Sequence, residues 1–311
     1  MNRIRLGESN IEISELGIGA WSWGDRVFWQ FGKGYNREDV HAAFETSVAS
    51  GINFFDTAEF YGIGQSEKFL GEYLRERNPG IVIATKFFPY PWRLRRVSLL
   101  NALRGSLARL KLSRVDLYQI HWPHPLIPIE TWMAAMADAV DAGLTRAVGV
   151  SNYDAAQIRR ANHALAQRGI ALASNQVKYS LLDRRIERNG VMETCRELNV
   201  TIIAYSPIEM GLLTGKYTPA NPPPGLRAFR YSRNFLAQIQ PLIAAMREIG
   251  KAHGGKTPAQ VALNWTMRKG TVPIPGAKNA RQAKENIGAV GWRLKAGEIA
   301  ALEAESEKLR R

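Results

Sequence analysis

Four polar side chains stand at or just beyond the ends of three successive apolar segments. Asp56 ends the segment INFFD, Lys86 ends IVIATK and His121 ends VDLYQIH, while Tyr61 follows five residues after Asp56. A phenol has a reference pKa of about 10, so it needs help to donate a proton near neutral pH. A neighbouring ammonium favours the phenolate and lowers that pKa, and a carboxylate can hold the ammonium charged and in place. These residue types could therefore form a proton-donating site for the reduction of a carbonyl group.

Short apolar segments alternate with amphipathic helical patterns along the whole chain. In the first helical pattern, Asn36 is the predicted N-cap and Gly51 the predicted end. Continuous apolar strands that are each followed by a helix indicate parallel pairing with the helices outside. Eight such units favour a (β/α)8 TIM barrel of the α/β class, as a single domain over residues 1–311, with a doubly wound open sheet as the alternative. The eight predicted strand segments are LGIGAW, INFFDTA, IVIATKFF, DLYQIHW, RAVGVSN, ASNQVKYS, TIIAYSP and TVPIPGA.

The barrel prediction explains how distant residues could meet. In a (β/α)8 barrel the chemistry lies at the carboxyl ends of the strands, on the βα loops. Asp56, Lys86 and His121 end the second, third and fourth predicted strands, and Tyr61 lies on the second loop. Two loops on the same face are unusually long, the first over residues 24–35 and the seventh over residues 208–234. Loops of that length are usually functional lids or disordered segments.

Composition narrows the classes of partner. The formal net charge is +14, from 42 basic and 28 acidic residues, which favours anionic partners. The basic residues are spread along the chain, and the densest stretch, residues 93–114, alternates with apolar residues at helical spacing, so a solvated helix face is predicted and nucleic-acid binding is not. No apolar run reaches the roughly 18 residues of a membrane span, and the amino terminus lacks a secretory pattern. We therefore expect a cytoplasmic protein with no membrane partner, in which the single Cys195 is a packing residue.

Three other features of the sequence do not predict a functional site. The segment GKAHGGKT, residues 250–257, matches a phosphate-loop pattern, but helical rather than strand spacing precedes it. Gly250 and Gly254 are instead predicted to end a helix, with Thr257 as the N-cap and Pro258 as the first residue of the next one. No GxGxxG follows a strand, so a Rossmann dinucleotide site is unsupported. His121 and His124 have no third ligand nearby, so no metal site is predicted.

Seven motifs in order resemble those of the aldo-keto reductase superfamily over nearly the whole chain. They are GINFFDTAEFYG, ATKF, DLYQIHWP, GVSNY, NQVKYS, AYSPIEMGLLTGKY and IPGAKNARQAKENIGA, and the sequence looks most similar to a plant-plastid and bacterial branch. The resemblance implies an NAD(P)H-dependent reductase of small-molecule aldehydes and ketones. In it Tyr61 is the general acid, Lys86 lowers the pKa of Tyr61, Asp56 pairs with Lys86, and His121 orients and polarises the carbonyl.

The same resemblance implies a set of cofactor-binding residues. Asn152 and Gln176, with Ser151, match residues that hold the nicotinamide carboxamide, and Tyr205 matches the aromatic residue that stacks on its ring. Lys278 and the nearby Arg281 favour a 2′-phosphate, so NADPH is expected rather than NADH, although many relatives carry serine or threonine at the Lys278 position and arginine at the Gln282 position. The remaining matched residues are Ala20, Trp21, Asp56, Ser206, Pro207, Ile208, Gly211, Leu213, Lys216, Gly276, Gln282, Glu285 and Asn286.

Aromatic residues in or beside the first, third and fourth loops are predicted to line the substrate pocket. Nearby basic side chains, Arg26, Lys33, Arg93 and Arg95, suggest the hypothesis of an anionic aldehyde. The predicted pocket residues are Trp21, Trp23, Trp29, Phe87, Trp92 and Trp122.

Two other classes of function fit the same fold. Some members of the superfamily serve as regulatory subunits that bind the cofactor with little turnover, and unrelated isomerases or metal-dependent hydrolases use the same barrel. The intact set of four polar residues favours the enzyme over the regulatory subunit. We expect a monomer.

Overall fold

A sheet of eight parallel strands in sequence order forms the centre of the computed structural model, which describes residues 1–76 and 80–309. Its first and last strands approach through a parallel bridge between Gly19 and Gly276, and Gly19 N donates to Pro275 O at 3.1 Å. The sheet is therefore a nearly closed barrel, and the prediction of a (β/α)8 fold is confirmed. The barrel strands are β3 (Ile18–Gly19), β4 (Phe54–Asp56), β5 (Val82–Phe87), β6 (Val115–Ile120), β7 (Thr145–Ser151), β8 (Leu172–Lys178), β9 (Thr201–Tyr205) and β10 (Val272–Pro273).

An antiparallel hairpin of β1 (Arg3–Arg5) and β2 (Glu12–Ser14) precedes the barrel. Apolar side chains of the hairpin segment, among them Leu6 and Ile13, are buried against inward-facing barrel residues such as Phe54. Burying this apolar surface stabilises the amino-terminal side of the barrel and leaves the carboxyl ends of the strands for the long loops.

Helices surround the barrel, and their ends follow the local signals of the sequence. The first helix begins after Asn36, whose side chain accepts from Asp39 N at 3.0 Å, while Asp39 Oδ2 accepts from Asn36 N at 3.0 Å. This reciprocal cap satisfies two of the backbone donors that every helix start leaves unpaired. The helices are α1 (Arg37–Ala49), α2 (Gln65–Glu76), α3 (Arg96–Leu110), α4 (Ile129–Asp141), α5 (Ala155–Ala166), α6 (Val191–Glu197), α7 (Arg233–Gln238), α8 (Gln240–Ala252), α9 (Pro258–Arg268), α10 (Ala280–Ile287) and α11 (Ala296–Glu307).

The segment that imitates a phosphate loop lies between α8 and α9. Thr257 caps α9 and Pro258 is its first residue, as predicted. Gly254, with a φ of +72°, directly follows the C-cap of α8 as predicted, whereas Gly250 lies inside α8, so the prediction for Gly250 is wrong. A Cβ on Gly250 would lie 1.9 Å from Lys256 O, so the glycine serves a close approach of backbone to backbone. The segment thus follows a helix, whereas a phosphate loop follows a strand.

The two long loops differ in structure. Residues 24–35 contain no helix or strand, whereas the seventh loop contains the 3-10 turns Glu209–Thr214 and Gly225–Arg230, and α7 begins at Arg233 within the predicted loop. In the part of the chain that the structure describes, no helix combines the length and apolar character that crossing a bilayer requires.

Candidate active site

Adjacent barrel strands carry the four predicted catalytic residues to one edge of the sheet. Asp56 is the last residue of β4, Lys86 lies near the end of β5, and His121 directly follows β6. Tyr61 lies in the loop between β4 and α2. Because β4, β5 and β6 are neighbours in the sheet, side chains that are up to 65 positions apart in the sequence meet at this edge.

Lys86 is the centre of the group. Its ammonium donates to Asp56 Oδ2 at 2.5 Å, to Thr57 O at 2.8 Å and to the Tyr61 hydroxyl at 3.3 Å. The side chain is fully buried, so all three of its donors are used within the protein. The ammonium therefore has one fixed position, in contact with the phenol oxygen.

Asp56 is held equally firmly. Its second oxygen, Oδ1, accepts from Gln176 Nε2 at 2.8 Å and from Gln119 Nε2 at 3.3 Å. Gln119 is in turn fixed through its own oxygen, which accepts from Ser174 Oγ at 3.2 Å. A buried carboxylate costs free energy unless it is paired and hydrogen-bonded, and here both conditions are met.

Burial dominates the electrostatics of Tyr61. Burial, and then the nearby Asp56 carboxylate, hold the pKa of Tyr61 well above its usual value, and the lowering effect of Lys86 stays a prediction. Burial also lowers the pKa of Lys86, although Asp56 opposes that shift. The physical reason is that a phenolate loses its hydration in the interior, and that the Asp56 carboxylate repels it as well. Tyr61 consequently rests as a protonated phenol, which is the form a proton donor needs.

His121 is suited to the neutral form. Burial, and then the charge of Lys86, hold its pKa well below the usual value. Its ring meets the Tyr61 ring edge-on with centroids 5.7 Å apart, and its Nδ1 is buried without a hydrogen-bond partner. A neutral imidazole carries one N–H donor, so His121 can donate to a carbonyl oxygen without competing with Tyr61 for the proton.

A cavity of about 690 Å³ opens beside this group and is lined by Asp56, Tyr61 and His121. Ala20 and Leu213 do not line it, because both side chains are fully buried in the core. Their assignment to the cofactor site is therefore corrected to a packing role. The other predicted cofactor residues do line the cavity, namely Trp21, Asp56, Ser151, Asn152, Gln176, Tyr205, Ser206, Pro207, Ile208, Gly211, Lys216, Gly276, Lys278, Gln282, Glu285 and Asn286.

The residues expected to hold a carboxamide are hydrogen-bonded to one another. Asn152 Nδ2 donates to His121 O at 3.1 Å and to Ser151 Oγ at 3.0 Å, and Asn152 Oδ1 accepts from the Tyr205 hydroxyl at 2.9 Å. Asn152 has a φ of +62°, in the left-handed region that asparagine tolerates better than most residues. These hydrogen bonds fix the side-chain amide of Asn152 and engage the hydroxyl of Tyr205, while Tyr205 still lines the cavity.

Six cationic side chains line the same cavity; Lys178 pairs with Glu209, and the other five form no ion pair with a carboxylate among residues 1–76 and 80–309. Elsewhere many arginines have such partners, as in the Arg109–Glu67 pair at 2.6 Å. A cavity with unpaired cations at its wall suits a ligand that carries several phosphate charges. A nicotinamide dinucleotide therefore fits the residues present. The five cations are Lys216, Arg227, Arg230, Lys278 and Arg281.

Two of the six predicted substrate-pocket residues belong to the core instead. Trp23 is fully buried, with Nε1 donating to Ala277 O at 2.8 Å, and Phe87 is fully buried against Trp132. A third, Trp92, is 72% exposed and lies outside the cavity. These three assignments are therefore wrong, because position beside a loop does not reveal the direction of a side chain.

Trp21, Trp29 and Trp122 do line the cavity, together with Phe60 and Phe88, which sequence reasoning missed. The period of a strand could have found Phe88, since it lies two positions after Lys86. Lys178, Met210, Arg227 and Arg230 were also missed, and the last three lie on the seventh loop, where no regular period exists.

The basic side chains proposed to attract an anionic aldehyde lie elsewhere. Arg93 pairs with Glu59, and Arg26, Lys33 and Arg95 are exposed and do not line the cavity.

Comparison with known proteins agrees with this geometry. Residues 15–307 match the model of the Aldo/keto reductase family. The chain belongs to this family. A chloroplastic pyridoxal reductase from Arabidopsis thaliana is 39% identical over 97% of this chain and 85% of its own length. An NADP(+) aldo-keto reductase from Schizosaccharomyces pombe is 35% identical over 84% of this chain and 81% of its own.

Solved structures of family members have the same fold. A thermostable aldo-keto reductase in complex with the inhibitor epalrestat superposes with a TM-score of 0.79 at 32% identity, covering 98% of this chain and 100% of its own. A glycerol dehydrogenase from Gluconobacter oxydans reaches a TM-score of 0.83 at 24% identity over 97% of this chain and 94% of its own, a likeness of fold. Members of the family are oxidoreductases that generally reduce carbonyl groups with nicotinamide cofactors, and this aldo/keto reductase has their barrel fold.

Proposed function

We propose that this protein reduces small-molecule aldehydes and ketones to alcohols with NADPH. One observation carries the proposal: the buried Lys86 ammonium contacts both the Asp56 carboxylate and the Tyr61 hydroxyl at the wall of a cavity with unpaired cations. A phenol whose oxygen contacts a fixed ammonium can act as a general acid, because the ammonium stabilises the phenolate that remains after proton transfer. The cations would balance the negative charges of a bound dinucleotide.

The proton transfer follows from the same contacts. NADPH, when bound, supplies the hydride that adds to the carbonyl carbon. Tyr61 gives its proton to the oxygen that becomes negative, and the Lys86 ammonium, 3.3 Å from the hydroxyl, stabilises the phenolate that remains. His121 donates a hydrogen bond to the same oxygen from its neutral ring. Solvent returns the proton to Tyr61, so the products are an alcohol and NADP+.

The cofactor would contact three groups of residues. Ser151, Asn152 and Gln176 would hold the carboxamide, and Tyr205 would stack on the nicotinamide ring. The pyrophosphate would lie along Ser206, Pro207, Ile208, Gly211 and Lys216. The adenosine end would contact Gly276, Lys278, Gln282, Glu285 and Asn286. We expect NADPH to bind better than NADH because Lys278 has no carboxylate partner within residues 1–76 and 80–309.

Aromatic side chains support a small, partly apolar carbonyl as the substrate. Trp21 lies beside Tyr61, with ring centroids 6.2 Å apart, and Phe88 meets His121 edge-on at 5.5 Å. The name of the Arabidopsis relative makes pyridoxal the first aldehyde to test. That relative is named chloroplastic, so the cytoplasmic location stays a prediction, as do the monomeric state and the absence of nucleic-acid partners.

The test of the proposal is turnover by the wild-type protein. Pyridoxal, 4-nitrobenzaldehyde and a small ketone are each incubated with NADPH or NADH, and cofactor oxidation is followed by its absorbance. We expect consumption of NADPH in step with alcohol formation for at least one aldehyde, with a lower KM for NADPH than for NADH. Tight binding of NADPH without turnover of any carbonyl would favour the regulatory-subunit alternative.

A further inference from the structure

Lys278 occupies an aromatic site that the first loop provides. Its ammonium lies 4.2 Å from the centre of the Tyr35 ring and 4.9 Å from that of Trp29, and it donates to Trp29 O at 3.1 Å. A cation over the face of an aromatic ring is attracted by the electron density of the ring. Two rings and a carbonyl oxygen thus hold a lysine that comes from the other end of the chain.

The two rings are themselves fixed. Tyr35 is buried, and its hydroxyl donates to Ser22 O at 2.6 Å. The Trp29 ring packs edge-on against Trp21 and Phe28, with centroids 5.4 Å and 5.2 Å apart. The position of Lys278 is therefore set by a supported wall and does not depend on the flexible lysine stem alone.

A second cation reaches the same indole. The Arg227 guanidinium lies 5.5 Å from the centre of the Trp29 ring, and its Nη1 donates to Met210 O and to the Tyr217 hydroxyl, each at 3.2 Å. Lys278 and Arg227 both line the cavity, and neither has a carboxylate partner in the described ranges of the chain. Like charges repel, so their convergence on one residue points to an anion that binds between the first, seventh and eighth loops.

We propose that Trp29 and Tyr35 are positioning residues that select the cofactor: they fix Lys278, with Arg227 beside it, as a site for the 2′-phosphate monoester that distinguishes NADPH from NADH. The inference rests on the proposed function, because it assumes a dinucleotide in the cavity. A lysine already held in place loses little side-chain freedom when the phosphate binds, so the contact contributes more to affinity. The ribose hydroxyl of NADH gains nothing comparable from two cations.

The test measures binding without a nicotinamide ring. Adenosine 2′,5′-bisphosphate and adenosine 5′-monophosphate are titrated by calorimetry into the wild-type protein and its variants. Wild type is expected to prefer the bisphosphate by about 10- to 100-fold, as one added charge-assisted contact gives. Trp29→Leu is expected to reduce this preference about three- to tenfold, within the range of a lost cation–π contact, while the monophosphate affinity stays unchanged.

Three further variants separate positioning from a general effect on the loop. Trp29→Phe keeps a ring and is expected to restore part of the preference. Val27→Ala shortens an exposed side chain of the same loop that does not line the cavity, so it is expected to keep the wild-type preference. Lys278→Met is expected to lose most of it. Thermal melts monitored by circular dichroism establish that each variant is folded.

The pH dependence of the bisphosphate preference provides a second test, because a purely structural role of Trp29 would leave this dependence unchanged. Burial, and then the charges of Arg227 and Lys216, lower the pKa of Lys278 to about 8, against the opposing effect of Asp25, and Tyr35 is the other titratable group that faces it. The bisphosphate preference of wild type should therefore fall as the pH rises above about 8. In Trp29→Leu water reaches the ammonium, so the fall should begin at higher pH.

Two results would overturn the inference. One is Trp29→Leu with the wild-type preference and pH profile; the other is an equal loss of both nucleotides, which would mean that Trp29 only supports the loop. If wild type itself bound neither nucleotide, the proposed function would fail as well. A bisphosphate preference that survives in Trp29→Leu would leave the proposed function standing and reject only the positioning role.

Discussion

The buried Lys86–Asp56 pair links stability to chemistry at the level of single residues. Both side chains are almost fully removed from solvent and the two charged atoms are 2.5 Å apart. Each charge depends on the other, because an isolated buried ion is strongly unfavourable. The same pair fixes the Lys86 ammonium that contacts Tyr61. The ion pair therefore supports both the stability of the fold and proton donation by Tyr61.

Lys86→Met is therefore expected to destabilise the fold by about 3–5 kcal/mol, because the Asp56 carboxylate is left buried without its ammonium. The free energy of unfolding in urea measures the loss. The double variant Asp56→Asn with Lys86→Met removes both charges and should recover part of that free energy. A double variant less stable than Lys86→Met would contradict the assignment of the pair.

His121 gives a pH dependence whose sign follows from its lowered pKa. The unfolded histidine titrates near 6.5 and the folded one well below, so below pH 6.5 the unfolded state binds more protons. Stability is expected to fall as the pH drops below about 6.5, by up to about 1.4 kcal/mol per pH unit from this residue.

Urea unfolding at pH 7.5 and 5.5, with wild type beside His121→Gln, measures the histidine contribution as the difference between the two pH dependences. An identical loss in both proteins would show that His121 does not carry it. Because His121 is neutral throughout the neutral range, kcat/KM should also lack an inflection near pH 6.5.

At the level of the elements, β7 has no room for an additional atom beside the network that holds Asp56. A Cβ on Gly149 would lie 2.2 Å from Ser174 Oγ and 3.1 Å from Gln119 Cγ. These two side chains belong to the hydrogen bonds that end at Asp56. The glycine is therefore required by packing and not by an unusual φ.

Gly149→Ala is expected to cost about 1–3 kcal/mol of stability by overpacking, and to lower kcat because Gln119 must move. Gly297→Ala in α11 is the matched control, since a Cβ there meets no atom within 4 Å. The control should be neutral or stabilising by up to about 1 kcal/mol. Thermal melts and turnover compare them, and equal behaviour of the two variants would refute the steric argument.

The sequence predicts elements better than the directions of loop side chains. The strand and helix units follow from hydrophobic periodicity and caps such as Asn36, because these are local properties. Residues at strand ends, such as Asp56 and Lys86, could be placed because the barrel topology fixes where they meet. Trp21 and Trp23 have similar surroundings in the sequence, yet one lines the cavity and the other is in the core. That difference depends on how the first loop packs, which no local pattern encodes.

At the level of the whole molecule, the unpaired positive charge behind the net charge of +14 is unevenly distributed. Many basic residues form surface ion pairs, such as Arg160 with Glu130 at 2.9 Å, whereas five of the six cations that line the cavity have no carboxylate partner in the described chain. The expected role of this uneven charge is to attract an anionic cofactor to the face of the barrel that carries the chemistry.

The association rate of NADPH is therefore expected to fall several-fold as the ionic strength rises from about 0.01 M to about 0.15 M, since the screening length shrinks from about 30 Å to about 8 Å. Stopped-flow fluorescence measures this rate. In Lys278→Met the dependence on salt should be weaker. A rate that does not respond to salt would mean that the cavity charge has no part in the encounter.

The central claim is that Tyr61 gives the proton to the carbonyl oxygen, and Tyr61→Phe tests it most directly. This change removes one oxygen atom and leaves the ring beside Trp21 and His121. The decisive measurement is kcat for aldehyde reduction, taken beside the NADPH dissociation constant. The account predicts a fall in kcat of about 100- to 10,000-fold with the dissociation constant within about twofold of wild type. Tyr61→Phe with wild-type kcat would contradict it.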